Sequence, residues 1–159
     1  MESIALQIKE WKKKYKEIYK IEYDDEIAYL KKPTVTTIQK YKQEKEKDVY
    51  QALAILFKEC VLEEKYYDDE LILAVAKSLL QKLPQVTDTI ISKETGEDEI
   101  RKSAALVRHF FNVNPYNLPI DEFYQLVAEA LWIQEYKNKQ MEVAFANVLV
   151  QTFANNNPF

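Results

Sequence analysis

The chain of 159 residues contains 47% hydrophobic and 30% charged residues, which is enough for one domain, or two small lobes, around an apolar core. It has a single glycine, a single cysteine and a single histidine. So little glycine argues against an all-β sandwich or barrel and against a glycine-rich phosphate loop. One cysteine excludes an intramolecular disulfide, and one histidine excludes a histidine-rich metal site.

The charge distribution argues against a general nucleic-acid binder, because the net charge is −4 and the pI is about 5.2. Residues 1–48 carry 12 lysines against 10 acids, a polarity too mild to indicate an anionic partner. No apolar run approaches the roughly 18–20 residues of a membrane span. The first lysines follow the apolar residues instead of preceding them, the reverse of a secretory signal. We therefore expect a cytoplasmic protein with no membrane partner.

A short helix and a β-hairpin are predicted for the first part of the chain. Apolar residues at helical spacing indicate a helix over 3–13, for which Ser3 is a plausible N-cap. Residues 15–32 then alternate β-prone side chains around an acidic turn at Asp24 and Asp25, although the tyrosines there would also suit helix faces. The apolar residues of the helix are Ile4, Ile8 and Trp11.

After Pro33, which ends the hairpin, the pattern becomes helical. Segment 34–47, capped by Thr34 or Thr36, is highly charged and has a poor apolar stripe, which predicts an exposed or mobile helix. A stronger helix follows Asp48 as its N-cap. The poor stripe consists of Val35, Ile38 and Tyr41. The apolar face of the stronger helix consists of Val49, Leu53, Leu56, Phe57 and Cys60.

The next helix begins at acidic residues 68–70, which suit its positive end, and stops at Pro84. Its apolar residues are Leu71, Ile72, Val75, Leu79 and Leu83. Residues 84–99 are the expected seam of the chain, and whether 86–91 form a strand or a helical turn stays open. The sequence thus divides into a region 1–84, a linker 85–99 and a helical region 100–159.

Two helices are predicted beyond this seam, joined by a connector that Pro115 and Pro119 fix. The apolar face of the first consists of Ile100, Ala104, Val107 and Phe111. The second helix is long, with Asp121 and Glu122 in its first turn. Its first apolar stripe is Phe123, Val127, Ala130 and Leu131, and its second is Met141, Phe145, Val148, Leu149 and Thr152. Polar residues 137–140 between the stripes form either a bend between two helices or an exposed turn of one. The C-terminal end, from residue 155, should fray.

No catalytic, cofactor-binding or metal site stands out. Cys60 lies on an apolar helix face, where cysteine behaves as a small buried hydrophobe, and His109 lies beside Arg108 with no serine in a nucleophile motif. The acidic clusters 24–26, 68–70 and 97–99 lie at turns or helix starts and lack calcium-loop spacing. Lysines 12–14 beside aromatic residues suit a helix C-terminus better than a nucleic-acid site. We therefore expect a non-enzymatic protein without cofactors, and its 11 tyrosines are a residue type enriched in interaction surfaces.

Most of the chain resembles phage and prophage tail assembly chaperones. The resemblance rests on a W-x3-Y segment, a tyrosine-rich hairpin ending in Lys32-Pro33, a helix closing near a cysteine, and an acidic-capped helix. These features lie in IKEWKKKYKEIYKIEYDDEIAYLKKPT (8–34), KECVLEE (58–64) and DDELILAVAKSLLQKL (68–83). Residues 106–136, LVRHFFNVNPYNLPIDEFYQLVAEALWIQEY, are similar to the second region that such chaperones often gain by frameshifting.

The resemblance implies a function without catalysis. Such chaperones hold the aggregation-prone tape measure protein soluble, help to recruit tail tube subunits, and are absent from the finished particle. We expect the client to contact Met141, Phe145, Val148 and Leu149 together with the C-terminal tail, as in helix-in-groove recognition. The alternative is that these residues pack back onto their own domain.

Other classes of protein stay open. A structural virion component, such as an adaptor or packaged protein, would be found in particles instead of the host cytoplasm alone. A host-takeover protein that binds nucleic acid through lysines 12–14 would bind in a strongly salt-dependent way. A homo-oligomer is compatible with any of these classes of protein.

Overall fold

The computed structural model describes residues 4–15, 17–83 and 96–155. The described part is mainly helical with one small β-hairpin, which confirms the expected fold class. Its strands are β1 (Ile18–Tyr23) and β2 (Glu26–Lys31), and a 3-10 turn spans Pro115–Asn117. Its helices are α1 (Ile4–Tyr15), α2 (Val35–Lys45), α3 (Val49–Cys60), α4 (Asp69–Lys82), α5 (Gly96–Phe111) and α6 (Ile120–Asn155).

The hairpin is antiparallel, with Tyr23 paired to Glu26 at its closed end. Asp24 occupies the left-handed region of backbone space at φ 50°, which aspartate tolerates better than most residues. One face of the hairpin is buried through Ile21, Ala28 and Leu30. The expected hairpin is thus confirmed, except that Tyr15 ends α1 instead of starting a strand.

Helix α2 belongs to the core, so the expected exposed or mobile helix is wrong. Its whole apolar stripe is buried, together with Thr37, because α2 packs along α3 and one apolar residue per turn suffices for that contact. Thr34 is the N-cap and its hydroxyl accepts the amide of Thr37, whereas Thr36 donates to the carbonyl of Tyr116 at 2.9 Å. The stripe is Val35, Ile38 and Tyr41.

Helices α3 and α4 begin where the predicted cap Asp48 and the acidic residues 68–70 place them. The side chain of Asp48 accepts the amides of Tyr50 and Gln51, and that of Asp68 accepts the amide of Leu71 at 2.7 Å. The predicted apolar faces are buried in their central turns, by Leu53, Leu56, Phe57 and Cys60 on α3 and by Leu71, Val75 and Leu79 on α4. Val49 is a correction: it is exposed, like Tyr50 and Gln51, because the first turn of α3 lies at the edge of the core.

Buried side chains of both predicted regions form one apolar cluster. It extends from Ile21 in the hairpin to Val127 in α6 and includes Ile100, Ala104 and Val107 of α5. Helix α5 begins at Gly96, four residues earlier than expected. The rest of the expected seam, the undecided segment 86–91, the proposed cap Ser3 and residues 156–159 lie outside the described residues.

Contacts with the end of the hairpin fix the start of α6. The amide of Ile120 donates to the carbonyl of Pro33 at 3.0 Å, and the amide of Val35 donates to the carbonyl of Leu118 at 3.1 Å. Phe123, Val127 and Ala130 then bury the first apolar stripe of α6, as predicted, with Leu131 at its margin. This half of the helix is therefore packed into the folded part of the chain. We define the body as the described residues up to Ile133, which include this half.

Candidate functional site

The distal half of α6, defined as residues 134–155, extends beyond the body. Helix α6 is continuous from Ile120 to Asn155, so polar residues 137–140 are an exposed turn of one helix and not a bend. Every described side chain from Gln134 to Thr152 is exposed. Lys137 still touches the body, since its Nζ lies 5.0 Å from the centroid of the Phe110 ring. A helix of 22 residues is about 33 Å long, so the distal half provides a long surface.

The inner stripe, defined as Met141, Phe145, Val148 and Leu149, lies in this distal half. Its members are between 41% and 67% exposed, so in this structure they do not pack back onto the domain. The inner stripe repeats the body-facing residues of the same helix at an interval of eighteen residues, or about five turns. It therefore continues the buried face of α6 past the edge of the body.

The sequence reasoning missed that the distal half is apolar on its other side as well. Val143 and Val150 are exposed by 60% and 67%, and both lie nearly opposite Met141 on the helix. The available signal was composition: between residues 141 and 150 only Glu142 and Asn147 are polar. A helix that is apolar all round is normally buried, so this segment is suited to contact with other chains on more than one side.

An ion-pair cluster secures the base of this long helix. Lys32 is bound to Asp121 in the first turn of α6 and, at 2.7 Å, to Glu17 before the hairpin. Partial burial alone would lower the pKa of Lys32, but its hydrogen bonds to the two carboxylates outweigh this effect and raise the pKa. For Asp121, burial alone would raise the pKa, and the bond to Lys32 lowers it instead. The pair therefore stays charged around neutral pH.

The residues considered for chemistry are not arranged as a catalytic site. Cys60 is fully buried, and burial raises the pKa of its thiol to about 12, which keeps the sulfur protonated and inert. His109 is exposed and packs edge-on against Phe110, with ring centroids 5.0 Å apart. Within the described residues, no group of three or more histidine, cysteine, aspartate or glutamate side chains could hold a metal ion.

The remaining candidates lie on helix ends and turns. Lysines 12–14 occupy the last turn of α1, where the helix dipole favours cations. Acidic residues 24–26 surround the hairpin turn, and 68–70 begin α4. A cleft of about 580 Å³ between α2 and α5 is lined by Lys42, Arg101 and other mostly polar residues, and it contains neither Cys60 nor His109.

Comparisons with protein families, curated proteins and solved structures found no match to this chain. Among the described helices, none is long and apolar enough to cross a membrane. The candidate site therefore rests on the geometry of α6 itself.

Proposed function

We propose that the protein is a non-enzymatic binding protein of the tail assembly chaperone type, which holds an apolar helical client through the distal half of α6. The observation that carries this proposal is the exposed inner stripe, Met141, Phe145, Val148 and Leu149, on a helix whose base is fixed to a folded body. Burying one such side chain completely contributes about 1.5–3 kcal/mol, so four of them offset a large part of the free-energy cost of association.

The geometry supports recognition of a helix in particular. The inner stripe lies in line with the face of α6 that already packs on the body. An apolar helix laid along this face would continue the packing of the body instead of ending it. A tape measure protein is long, helical and prone to aggregate, so it presents the kind of segment that fits, and tail tube subunits would join the complex afterwards.

The proposal is tested by capture of the tagged protein from phage-producing cells, with identification of co-purifying proteins by mass spectrometry. A long tape-measure-like protein should co-purify with the wild type and be lost with Val148→Glu. Val143→Glu is the matched control, because it makes the same change at a similarly exposed position on the opposite side of the helix. Equal capture by both variants and the wild type would refute the role of the inner stripe.

Purified particles provide the second arm of this test. A chaperone that acts in the host cytoplasm should be missing from them, whereas recovery at fixed stoichiometry would favour a structural virion component and overturn the proposal.

Truncation after Tyr136 adds a structural control. The shortened chain should stay folded and soluble, because the body residues are retained, but it should no longer bind the client.

A further inference from the structure

The second feature of α6 is an outer face that points away from the body. Trp132, Tyr136, Val143 and Val150 lie within about 40° of one another around the helix axis, on the side opposite the inner stripe. We define these four residues as the outer face. They are between 54% and 67% exposed, and the rings of Trp132 and Tyr136 stack with centroids 5.9 Å apart. The proposed client site does not use them.

We propose that a second copy of this chain covers the outer face, forming an antiparallel dimer of α6 helices that leaves both inner stripes open. The spacing of the outer face, four residues and then seven and seven, is that of a heptad seam. Trp132 and Tyr136 are residue types that dominate interface energetics. Because the face points away from the body, a second helix can approach it without displacing the domain.

The charges of the segment are compatible with a copy of itself. Between Trp132 and Val150 there are two acids, Glu135 and Glu142, and two bases, Lys137 and Lys139. This part of the chain is therefore neutral, although the whole chain carries a net charge of −4. Two copies can associate here without the repulsion that their overall charge would cause elsewhere.

Lys139 selects the antiparallel orientation. It lies on the outer face between Tyr136 and Val143, so a parallel pair in register would place two lysines against each other. In an antiparallel pair centred near residue 141, each Lys139 instead lies across from Val143 and beside Glu142 of the second copy. The same register places Trp132 across from Val150 and Tyr136 across from Ala146, so that large side chains meet small ones in both directions.

The size of the contact predicts an exchanging dimer. The outer face extends over about 27 Å of a helix that is about 10–12 Å across, so two copies in contact bury on the order of 600 Å² in total. This area is below the roughly 1,200–2,000 Å² of stable complexes. We therefore expect monomer and dimer to be in equilibrium, with the dimer dominant only at high concentration.

Analytical ultracentrifugation of the full chain, from low micromolar to several hundred micromolar, tests the dimer without any client. Wild-type protein should show a concentration-dependent dimer. Val150→Glu should raise its dissociation constant by more than about tenfold, because its carboxylate would lie against Trp132 of the second copy in this register. The matched variant Val148→Glu should dimerise like the wild type. A wild-type monomer at the highest concentration, or a dimer lost only with Val148→Glu, would overturn the proposal.

A charge exchange tests the orientation. Lys139→Glu should weaken the dimer by placing its carboxylate beside Glu142 of the second copy, and adding Glu142→Lys should restore it. A double variant as weak as the single one would refute the antiparallel register. These measurements are independent of the proposed function: loss of client capture with Val148→Glu concerns the inner stripe, and loss of the dimer with Val150→Glu concerns the outer face.

Discussion

In the proximal half of α6, residues 120–133, Phe123, Val127 and Ala130 are buried, whereas the residues five turns later at the same positions around the helix are exposed. The two stripes have the same periodicity and similar residue types. They differ only in what lies beside them: the proximal stripe faces the apolar cluster of the body, and the distal one faces solvent.

This difference separates two properties that an amphipathic pattern combines. Periodicity indicates which side of a helix prefers apolar contact. It does not indicate whether the same chain supplies that contact. In α6 the body ends before the apolar pattern does, and the remaining stripe is the surface that we propose for a client.

The largest expected effect on the free energy of unfolding comes from removing a phenylalanine ring in the proximal half, compared with removing one in the distal half. Phe123→Ala should lower the free energy of unfolding by about 3–5 kcal/mol, because Phe123 is fully buried and its loss leaves a cavity. Phe145→Ala should change it by less than about 0.5 kcal/mol, since Phe145 is 67% exposed. Urea unfolding of both variants measures the difference.

Phe123→Leu provides a milder version if the alanine variant fails to fold. It should still destabilise the protein more than Phe145→Ala does. Equal losses in the two halves would mean that the distal stripe is packed in the dilute protein, which would contradict the comparison.

The local features of the fold were predictable because short-range chemistry determines them. Asp48 and Asp68 cap helices through their own side chains, and the alternation around Asp24 and Asp25 produces the hairpin. The two stripes of α6 were also predictable, since each follows from spacing within one helix.

The remaining features depend on contacts between distant parts of the chain. The bond between Lys32 and Asp121 joins residues far apart in sequence, and no local pattern pairs them. The burial of α2 depends on its position along α3, so its short stripe alone led to the wrong expectation. The outer face was missed because only the continuity of α6 aligns Trp132 and Tyr136 with Val143 and Val150.

An intermediate effect is expected at the ion pair that fixes the base of α6. Asp121→Asn should lower the free energy of unfolding by about 1 kcal/mol at pH 7, a value reduced because the carboxylate is about a third exposed. The folded-state pKa of Asp121 is depressed, so its stabilisation is present above the unfolded pKa of about 3.9 and is lost as pH falls through the folded pKa. The difference between variant and wild type should therefore vanish in acid.

Asp25→Asn is the control for this experiment, because it removes the same charge from an exposed turn of the hairpin. Its effect should be small at pH 7. A pH dependence in the Asp25 variant equal to that of Asp121→Asn would show that net charge, and not the bond to Lys32, is responsible.

The smallest effect is expected at the ion pair in the distal half, between Glu135 and Lys139, whose atoms are 3.0 Å apart and whose side chains are both about two-thirds exposed. Such a pair on a helix surface contributes about 0.3–0.5 kcal/mol. Glu135→Gln should therefore lower the hydrogen-exchange protection of neighbouring distal amides only about twofold, an effect that salt should reduce. Glu142→Gln removes an acidic charge from the same exposed segment while leaving this pair in place, and it serves as the control. A distal half that is anchored only at its base should lose its local structure without weakening the core. A tenfold loss of hydrogen-exchange protection in the body as well would therefore mean that the two halves of α6 are energetically coupled.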